Sequence, residues 1–168
     1  MTKPILNLAD VAFDDVEENG RYTSRRGTIG LLIGAQKLGY NLTELPPGKA
    51  QCPFHNHHGE EEMFFIVEGE GELRFGNERY AIRAHDVIAC PPGGREVAHQ
   101  IVNTGATTLR YLAVSTRGEL DVCEYPDSNK IMSLVGRPGE RTLRRMFRAE
   151  DVVDYYERER IDDDLVEK

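Results

Sequence analysis

The stretch CPFHNHHGEEEMFF, residues 52 to 65, concentrates side chains that can bind a metal ion. Three histidines and three glutamates fall within the eight positions from His55 to Glu62, and an apolar run follows at once. Imidazole nitrogen and carboxylate oxygen are common donors to divalent transition metals in proteins. The stretch is therefore either a solvated surface turn or a ligand set at the entrance to a buried strand.

Strand parity favours the ligand set. His55 and His57 are two residues apart and project to one face of a strand, whereas His58 projects to the opposite face. Glu62 begins the next strand, and a buried carboxylate needs a partner because burying it alone is costly. A divalent cation held together with two imidazoles would supply that partner.

A third imidazole is available from His99, in the stretch VAHQIVN. A histidine inside an apolar alternation is by default a satisfied core or rim residue, and the nearby His-x-His and Glu62 are what favour ligation here. Glu60 and Glu61 remain alternatives to Glu62 if the strand register shifts. His85 lies in a polar turn and is not expected to bind metal.

The run EEMFFIVEG predicts the strand that positions this site. With a period of two, Glu62 shares a face with Phe64 and Ile66, and the opposite face is apolar as well. A strand that is apolar on both faces needs a second covering layer. We expect the first face to line a barrel interior. The second face would pack under an N-terminal strand or a partner subunit, so a homodimer is the expected assembly.

Short apolar or alternating runs from Thr28 to about Arg117, separated by Gly, Pro and Asn turns, are typical of an all-β sandwich or barrel. Strands are predicted near 28–34, 38–45, 52–57, 61–68, 70–76, 78–83, 86–90, 96–103, 108–116 and 120–125. Later, RAEDVVDYYERERI predicts a short helix around 149–157. The expected organisation is a single domain with an N-terminal arm, a β-barrel and a partly helical or irregular C-terminal extension, at residues 1–27, 28–125 and 126–168.

Two motifs in this sequence resemble those of the cupin superfamily, G-x5-H-x-H-x3,4-E-x6-G and G-x5-P-x-G-x2-H-x3-N. Gly48 is followed by six residues, His55-Asn56-His57, four residues, Glu62, six residues and Gly69. The second motif reads His85, five residues, Pro91-Pro92-Gly93, five residues, His99, three residues and Asn103. His85 replaces the opening glycine, and the gap before His99 is longer than in the family.

The resemblance implies a double-stranded β-helix, or jelly-roll barrel, like that of the small single-domain cupins without an assigned activity. It also implies one metal site with three histidines and one glutamate, at His55, His57, Glu62 and His99. Such a donor set suits Fe, Mn, Ni, Zn, Co or Cu. A small-molecule ligand would bind above it, in a cavity that we expect Phe64, Ile66, Phe75 and Tyr111 to line.

Composition and charge narrow the classes of function. The 168 residues carry a formal net charge of −8, which makes nucleic acid and membrane partners unfavourable. The sequence starts without a recognisable signal peptide, so we expect a cytoplasmic location. Cys52, Cys90 and Cys123 are expected to be reduced thiols, and the arginine run at 141, 144, 145 and 148 to pair with the acidic residues that follow it.

The expected function is that of a metal-dependent enzyme, of isomerase, lyase or dioxygenase type, acting on a small polar organic molecule such as a sugar or carboxylate. A non-catalytic module that binds or senses a small ligand is the alternative from another class. A structural dimer with a vestigial site is a third. Tyr111 and Glu72 are the candidate general bases by position.

Histidine ligation predicts that the metal is lost in acid, because imidazole must be neutral to bind a cation. We expect metal retention to weaken as the pH falls towards and below about 6.5. The measurement is metal content after dialysis across a pH series. Full retention at a pH of about 4.5 would contradict ligation by histidine.

Overall fold

The computed structural model describes residues 2–137 and 139–161. Within these ranges the chain forms thirteen strands and three single-turn 3-10 helices, and no helix there is long and apolar enough to cross a membrane. The strands form three sheets, of six, four and three strands. The chain is thus all-β, as predicted.

The bounds of the strands show which parts of the chain build each sheet. In the six-stranded sheet they are β1 Asp15–Asn19, β2 Tyr22–Thr28, β3 Leu38–Leu45, β5 Glu62–Glu68, β8 Val87–Cys90 and β10 Leu109–Thr116. In the four-stranded sheet they are β4 Asn56–His57, β11 Leu120–Tyr125, β12 Lys130–Val135 and β13 Leu143–Arg148. In the three-stranded sheet they are β6 Glu70–Phe75, β7 Glu78–Arg83 and β9 His99–Val102. The strand orders in the three sheets are β1-β2-β3-β10-β5-β8, β13-β12-β11-β4 and β7-β6-β9.

The barrel interior is filled by inward-facing side chains of strands from two of the sheets. Phe64 and Ile66 of β5 belong to one buried cluster with Leu73, Ile101 and Tyr111. This is the face that Glu62 shares, so the strand parity predicted from the sequence is confirmed. The arrangement is a jelly-roll barrel, in agreement with the predicted fold class.

The other face of β5 is covered from within the chain. Val67 packs against a second cluster built on Val11, Ile29 and Leu42, which also receives N-terminal side chains such as Phe13. The sequence left two alternatives for covering this face, an N-terminal strand or a partner subunit. At Val67 the cover is an N-terminal segment of the same chain. This part of the face does not require a second subunit.

The terminal parts of the chain are more regular than predicted. In the N-terminal arm, β1 and β2 form a hairpin whose second strand pairs with β3. In the C-terminal extension, β12 pairs with β11, and β13 pairs with β12. Both termini thus extend the barrel sheets. The end of the predicted extension, residues 162–168, lies outside the described residues.

Four predicted elements differ from the structure by more than two residues. The strand predicted at 52–57 is reduced to Asn56–His57, and the strand predicted at 96–103 is His99–Val102, preceded by a 3-10 turn. The helix expected around 149–157 does not form, and residues 155–158 make turns instead. Its apolar side chains have no surface to pack on, since Val152 and Tyr155 are each 83% exposed. The strand expected at 28–34 ends at Thr28, because the chain turns there and Gly34 adopts a positive φ of 87°.

His85 stands at a turn that favours glycine. Its φ is 77°, in the left-handed region that side chains rarely adopt. Its backbone N–H donates to Ile66 O at 2.7 Å, and its ring stacks on Phe65 with 6.3 Å between centroids. Both contacts hold the turn between β7 and β8 against β5. His85 therefore has a structural place away from the other histidines, as expected.

The backbone at His85 leads to a stability prediction. His85→Gly and His85→Ala both remove the stacked ring, but only glycine relieves the positive φ. We expect the glycine variant to have the larger free energy of unfolding, by about 1 kcal/mol, in urea titrations. Glu78, exposed in β7, is the control position. There the alanine variant should have the larger free energy of unfolding and the glycine variant the smaller. Equal stabilities at position 85 would contradict this account.

Candidate metal centre

Short backbone pairings attach His57 of β4, and His55 just before it, to the barrel. His55 forms an isolated antiparallel bridge with His99, with N···O distances of 3.2 and 2.7 Å. His57 lies in β4 and pairs with Cys123 of β11. The two strand ends thus point their imidazoles towards the same region, where Glu62 begins β5.

The three imidazoles converge on one carboxylate oxygen. The Nε2 atoms of His55, His57 and His99 lie 3.9, 3.4 and 2.9 Å from Oε2 of Glu62. Two ligand atoms bound to one ion at about 2.1 Å can be at most about 4.2 Å apart. All three distances to Glu62 satisfy this limit. Ligand atoms of His55, Glu62 and His99 also lie within 4.8 Å of one another, whereas His57 falls in a second such group with Asp121 and Cys123.

Each imidazole is oriented through its other nitrogen. Nδ1 of His55 lies 2.9 Å from Pro53 O, and Nδ1 of His99 lies 3.2 Å from Val97 O. Nδ1 of His57 lies 2.6 Å from Oδ2 of Asp121. With an acceptor at each Nδ1, a neutral imidazole can keep its proton there and leave Nε2 free to bind a cation. This is the usual arrangement of metal-binding histidines. Without a cation, Nε2 of His57 and of His99 donates to Glu62.

The electrostatics of the cluster favour a positive charge at its centre. Burial disfavours the charged form of His57, but hydrogen bonds, including those to Asp121 and Glu62, raise its pKa well above the usual range. Burial likewise opposes ionisation of Glu62, but hydrogen bonds from His57 and His99 hold its pKa well below the usual range. Burial, followed by the charges of His99 and His57, lowers the pKa of His55 to about 4. The donor set therefore fits a divalent transition metal ion.

Asp121 is a site residue that the sequence reasoning missed. It is 5% exposed, and its second oxygen accepts the Gly59 N–H at 3.0 Å. Burial raises its pKa, but the hydrogen bond to His57 outweighs this and lowers the pKa to about 2. In LDVC the charged Asp121 is buried while the apolar Leu120 and Val122 are exposed, so hydrophobic alternation contained no signal for it.

The remaining histidines and cysteines take other roles. His58 faces away from the cluster and contacts Glu124, with 2.7 Å between Nε2 and Oε1. Cys90 is buried in the barrel core. Cys52 places its sulfur 3.8 Å from Nδ1 of His55, on the side opposite Nε2. Cys123 lies 3.3 Å from Nδ1 of His57 and 3.2 Å from Asp121, so it packs around the orienting carboxylate.

A cavity of about 400 Å³ opens beside the cluster, and His55, His57 and Glu62 form part of its wall. Of the apolar residues expected to line it, Phe64 does so, whereas Ile66 and Tyr111 are buried in the core and Phe75 packs against that core. These three side chains pack in or against the barrel core, so the cavity lies further out than predicted.

The outer wall of the cavity comes from the C-terminal strands. Met132 and Leu134 of β12 line it, as do Tyr125, Arg141 and Arg144. Tyr125 stacks on His55 with 6.0 Å between ring centroids. The two arginines belong to the basic run that was expected to pair with acidic residues on the surface. Their position at the cavity was not predicted, because it arises only when β13 folds back along β12.

A family model described as a cupin domain matches residues 41–115. This range holds His55, His57, Glu62 and His99, the four residues that converge in the barrel. Residues 41–115 are thus assigned to the cupin family. The match to the model begins in β3 and ends in β10, so the strands at both termini lie outside the range that defines the cupin domain.

Curated and structural relatives extend this comparison. This chain is 39% identical over 71 residues to an oxalate-binding protein from Thermotoga maritima, covering 42% of this chain and 55% of that protein. It spans about half the length of the curated relatives it matches. A provisionally assigned sugar phosphate isomerase from Acidithiobacillus ferrooxidans has a TM-score of 0.76 and 26% identity, covering 90% of this chain and 96% of that one. A cupin sugar phosphate isomerase from Silicibacter pomeroyi has a TM-score of 0.74 at 22% identity, covering 88% and 94%, and shows the fold.

The position of Asp121 leads to a prediction about metal affinity. Asp121→Asn keeps the size of the side chain but removes the charge that orients His57, so we expect affinity for Zn²⁺ to fall about tenfold or more. Competition with a chromogenic chelator measures this. Asp127→Asn is the matched control, because Asp127 pairs with Arg74 on the surface. Equal Zn²⁺ affinity in both variants would contradict the orienting role.

Proposed function

We propose that this protein is a metal-dependent cupin enzyme that acts on a small polar organic molecule, such as a sugar or carboxylate. In this proposal His55, His57, Glu62 and His99 hold one divalent transition metal ion. The observation that carries it is the convergence of three Nε2 atoms within 3.9 Å of one Glu62 oxygen, beside a cavity of about 400 Å³ that His55, His57 and Glu62 help to line. A cavity of that size suits a small molecule.

When bound, the ion would polarise a carbonyl oxygen of the substrate or lower the pKa of a bound water. The chain's own residues would supply the rest. Phe64, Met132 and Leu134 give the cavity an apolar wall, which limits the access of water. Asn41 and Gln51 also line the cavity and offer amide groups for the hydroxyl groups of a substrate.

Two side chains in the same wall are placed to hold a proton. Glu60 lines the cavity, and burial, followed by the negative charge of Asp121, raises its pKa. Burial, followed by Cys123, raises the pKa of Tyr125 to about 12, so its hydroxyl stays protonated. Glu60 is thus suited to accept or return a proton, and Tyr125 to donate a hydrogen bond.

The two general bases considered from the sequence are less well placed. The Tyr111 hydroxyl donates to Gln51 at 2.7 Å, and the ring is buried in the barrel core. Glu72 forms an ion pair with Arg79 along the three-stranded sheet. Neither residue lines the cavity beside the histidines. Glu60 therefore replaces them as the proposed base.

Among the reaction types considered from the sequence, the isomerase type has the widest support. The structure described as a sugar phosphate isomerase from Acidithiobacillus ferrooxidans corresponds to 90% of this chain at 26% identity. The alternative, a non-catalytic small-ligand-binding module, is favoured by the 39% identity to an oxalate-binding protein over 71 residues. An enzyme requires the proton carrier at Glu60, whereas a binding module does not.

Elemental analysis of the purified protein tests the metal site. We expect close to one equivalent of transition metal in the wild-type protein, and less than about a tenth of that in His55→Ala and Glu62→Ala, because each loses one donor. Glu60→Gln is the matched control and should keep its metal. It also decides between the neighbouring glutamates that the sequence left open.

The possible metal contents lead to distinct conclusions. Metal lost in Glu60→Gln and kept in Glu62→Ala would mean that the proposal assigns the wrong glutamate. Wild-type protein that takes up no metal after incubation with Fe²⁺, Mn²⁺, Ni²⁺ or Zn²⁺ would overturn the proposal itself. Thermal unfolding of each apo variant checks that the loss of metal is not a loss of fold.

A further inference from the structure

Arginine side chains from two separate parts of the chain meet at the outer rim of the cavity. Arg26 comes from β2 in the six-stranded sheet, and Arg141 and Arg144 flank the start of β13 in the four-stranded sheet. Arg26 and Arg141 are half-buried and Arg144 is exposed, whereas the imidazoles of His55 and His57 are only 12% and 13% exposed. The cavity thus has a basic rim above a deeper histidine cluster.

Arg141 and Arg144, like Arg145 and Arg148 close by in the chain, have no carboxylate partner among the described residues, whereas several other arginines do. Within residues 2–137 and 139–161, the guanidinium groups of Arg141 and Arg144 form no salt bridge or hydrogen bond. Arg26 forms an ion pair with Asp15. Carboxylate partners are also present for Arg25, Arg74, Arg79, Arg95, Arg110 and Arg137.

This distribution of charge is informative because the chain carries a formal net charge of −8. Acidic side chains are abundant, yet two guanidinium groups on one cavity rim are left without a carboxylate contact among the residues that the structure describes. The acidic groups of the same cavity are Glu60, which influences Arg141 through space, and Glu62, which is engaged by the histidines. Like charges converging on a cavity favour an anionic ligand.

We propose that Arg141 and Arg144, with Arg26 across the cavity, form a subsite that binds the phosphate group of a phosphorylated small molecule. The non-phosphorylated end of that molecule would then extend to the histidine cluster. This inference rests on the proposed function, since it assigns the class of substrate for the same cavity. The volume of about 400 Å³ accommodates a small phosphomonoester.

Phosphate fits the rim better than a single carboxylate does. A phosphomonoester carries close to two negative charges at neutral pH and three terminal oxygens. Guanidinium groups bind such oxygens in pairs of parallel hydrogen bonds, so two adjacent arginines match one phosphate in both charge and number of donors. Arg141 and Arg144 are three residues apart around the start of β13, so they reach the rim from a single segment of chain.

Isothermal titration calorimetry with glycerol phosphate and with glycerol tests the subsite on the metal-loaded protein at fixed ionic strength. We expect glycerol phosphate to bind at least about a hundredfold more tightly than glycerol, and Arg141→Gln/Arg144→Gln to lose about a hundredfold in that affinity, since each charge-assisted contact contributes about tenfold. The matched control is Arg145→Gln/Arg148→Gln, which removes the same charge from β13 residues that do not line the cavity.

The controls separate this inference from its alternatives. Equal binding of glycerol and glycerol phosphate would overturn it, as would glycerol phosphate binding that survives the Arg141→Gln/Arg144→Gln change. An equal loss in the Arg145→Gln/Arg148→Gln control would show a general charge effect and would also overturn it. Oxalate is a further probe, and arginine-dependent binding of oxalate without binding of glycerol phosphate would reassign the subsite to carboxylates.

The metal content of the same samples keeps the two proposals distinguishable. Arginine-dependent binding of glycerol phosphate to protein that takes up no metal would support the subsite while overturning the proposed enzyme. Stoichiometric metal with no preference for glycerol phosphate over glycerol would support the proposed metal site while overturning the phosphate subsite. We expect both double arginine variants to retain the wild-type metal content, because neither removes a donor of the histidine cluster.

Discussion

The contact of three imidazoles with one buried carboxylate is the interaction on which the rest of the site depends. His55, His57, Glu62 and His99 belong to different strands or strand ends, and they meet only because the sheets close into a barrel. Neither the carboxylate nor the imidazoles would be stable at this depth alone, since each needs a partner of opposite charge or a hydrogen bond. The hydrogen bonds at the three Nδ1 atoms therefore serve both folding and the direction of the Nε2 atoms.

Most central strands were predictable from the sequence because their buried and exposed residues alternate, whereas β7, in which only Ile82 is buried, was marked by the Gly-Asn turn before it. The strands predicted at 38–45, 78–83 and 120–125 coincide with β3, β7 and β11, and most others between them differ by a residue or two at the ends. The strands near the termini were not predictable in this way. Every residue of β1 is exposed, as is every residue of β13, so no pattern of buried positions marks them. They form because a neighbouring strand offers an open edge.

The candidate site was predictable to the extent that its residues are close in sequence or share strand parity. His55, His57 and Glu62 lie within one short stretch, and His99 was added through its place in a second motif. Asp121 could not be assigned because its role depends on the pairing of β11 with β4, some sixty positions earlier in the chain. The arginines at the cavity were misassigned for the same reason, since only the return of β13 along β12 brings them there.

The ladder β4-β11-β12-β13 connects the deepest and the outermost parts of the cavity through backbone hydrogen bonds. Its inner end carries His57, and its outer end carries the proposed phosphate contacts. Because alternate residues of a strand face opposite sides, sliding β13 by one position along β12 would turn Arg144 away from the cavity without moving an imidazole. Descendants of such a protein can therefore exchange one ligand for another by altering the hairpin that joins β12 to β13, while the chemistry at the base of the barrel is inherited unchanged.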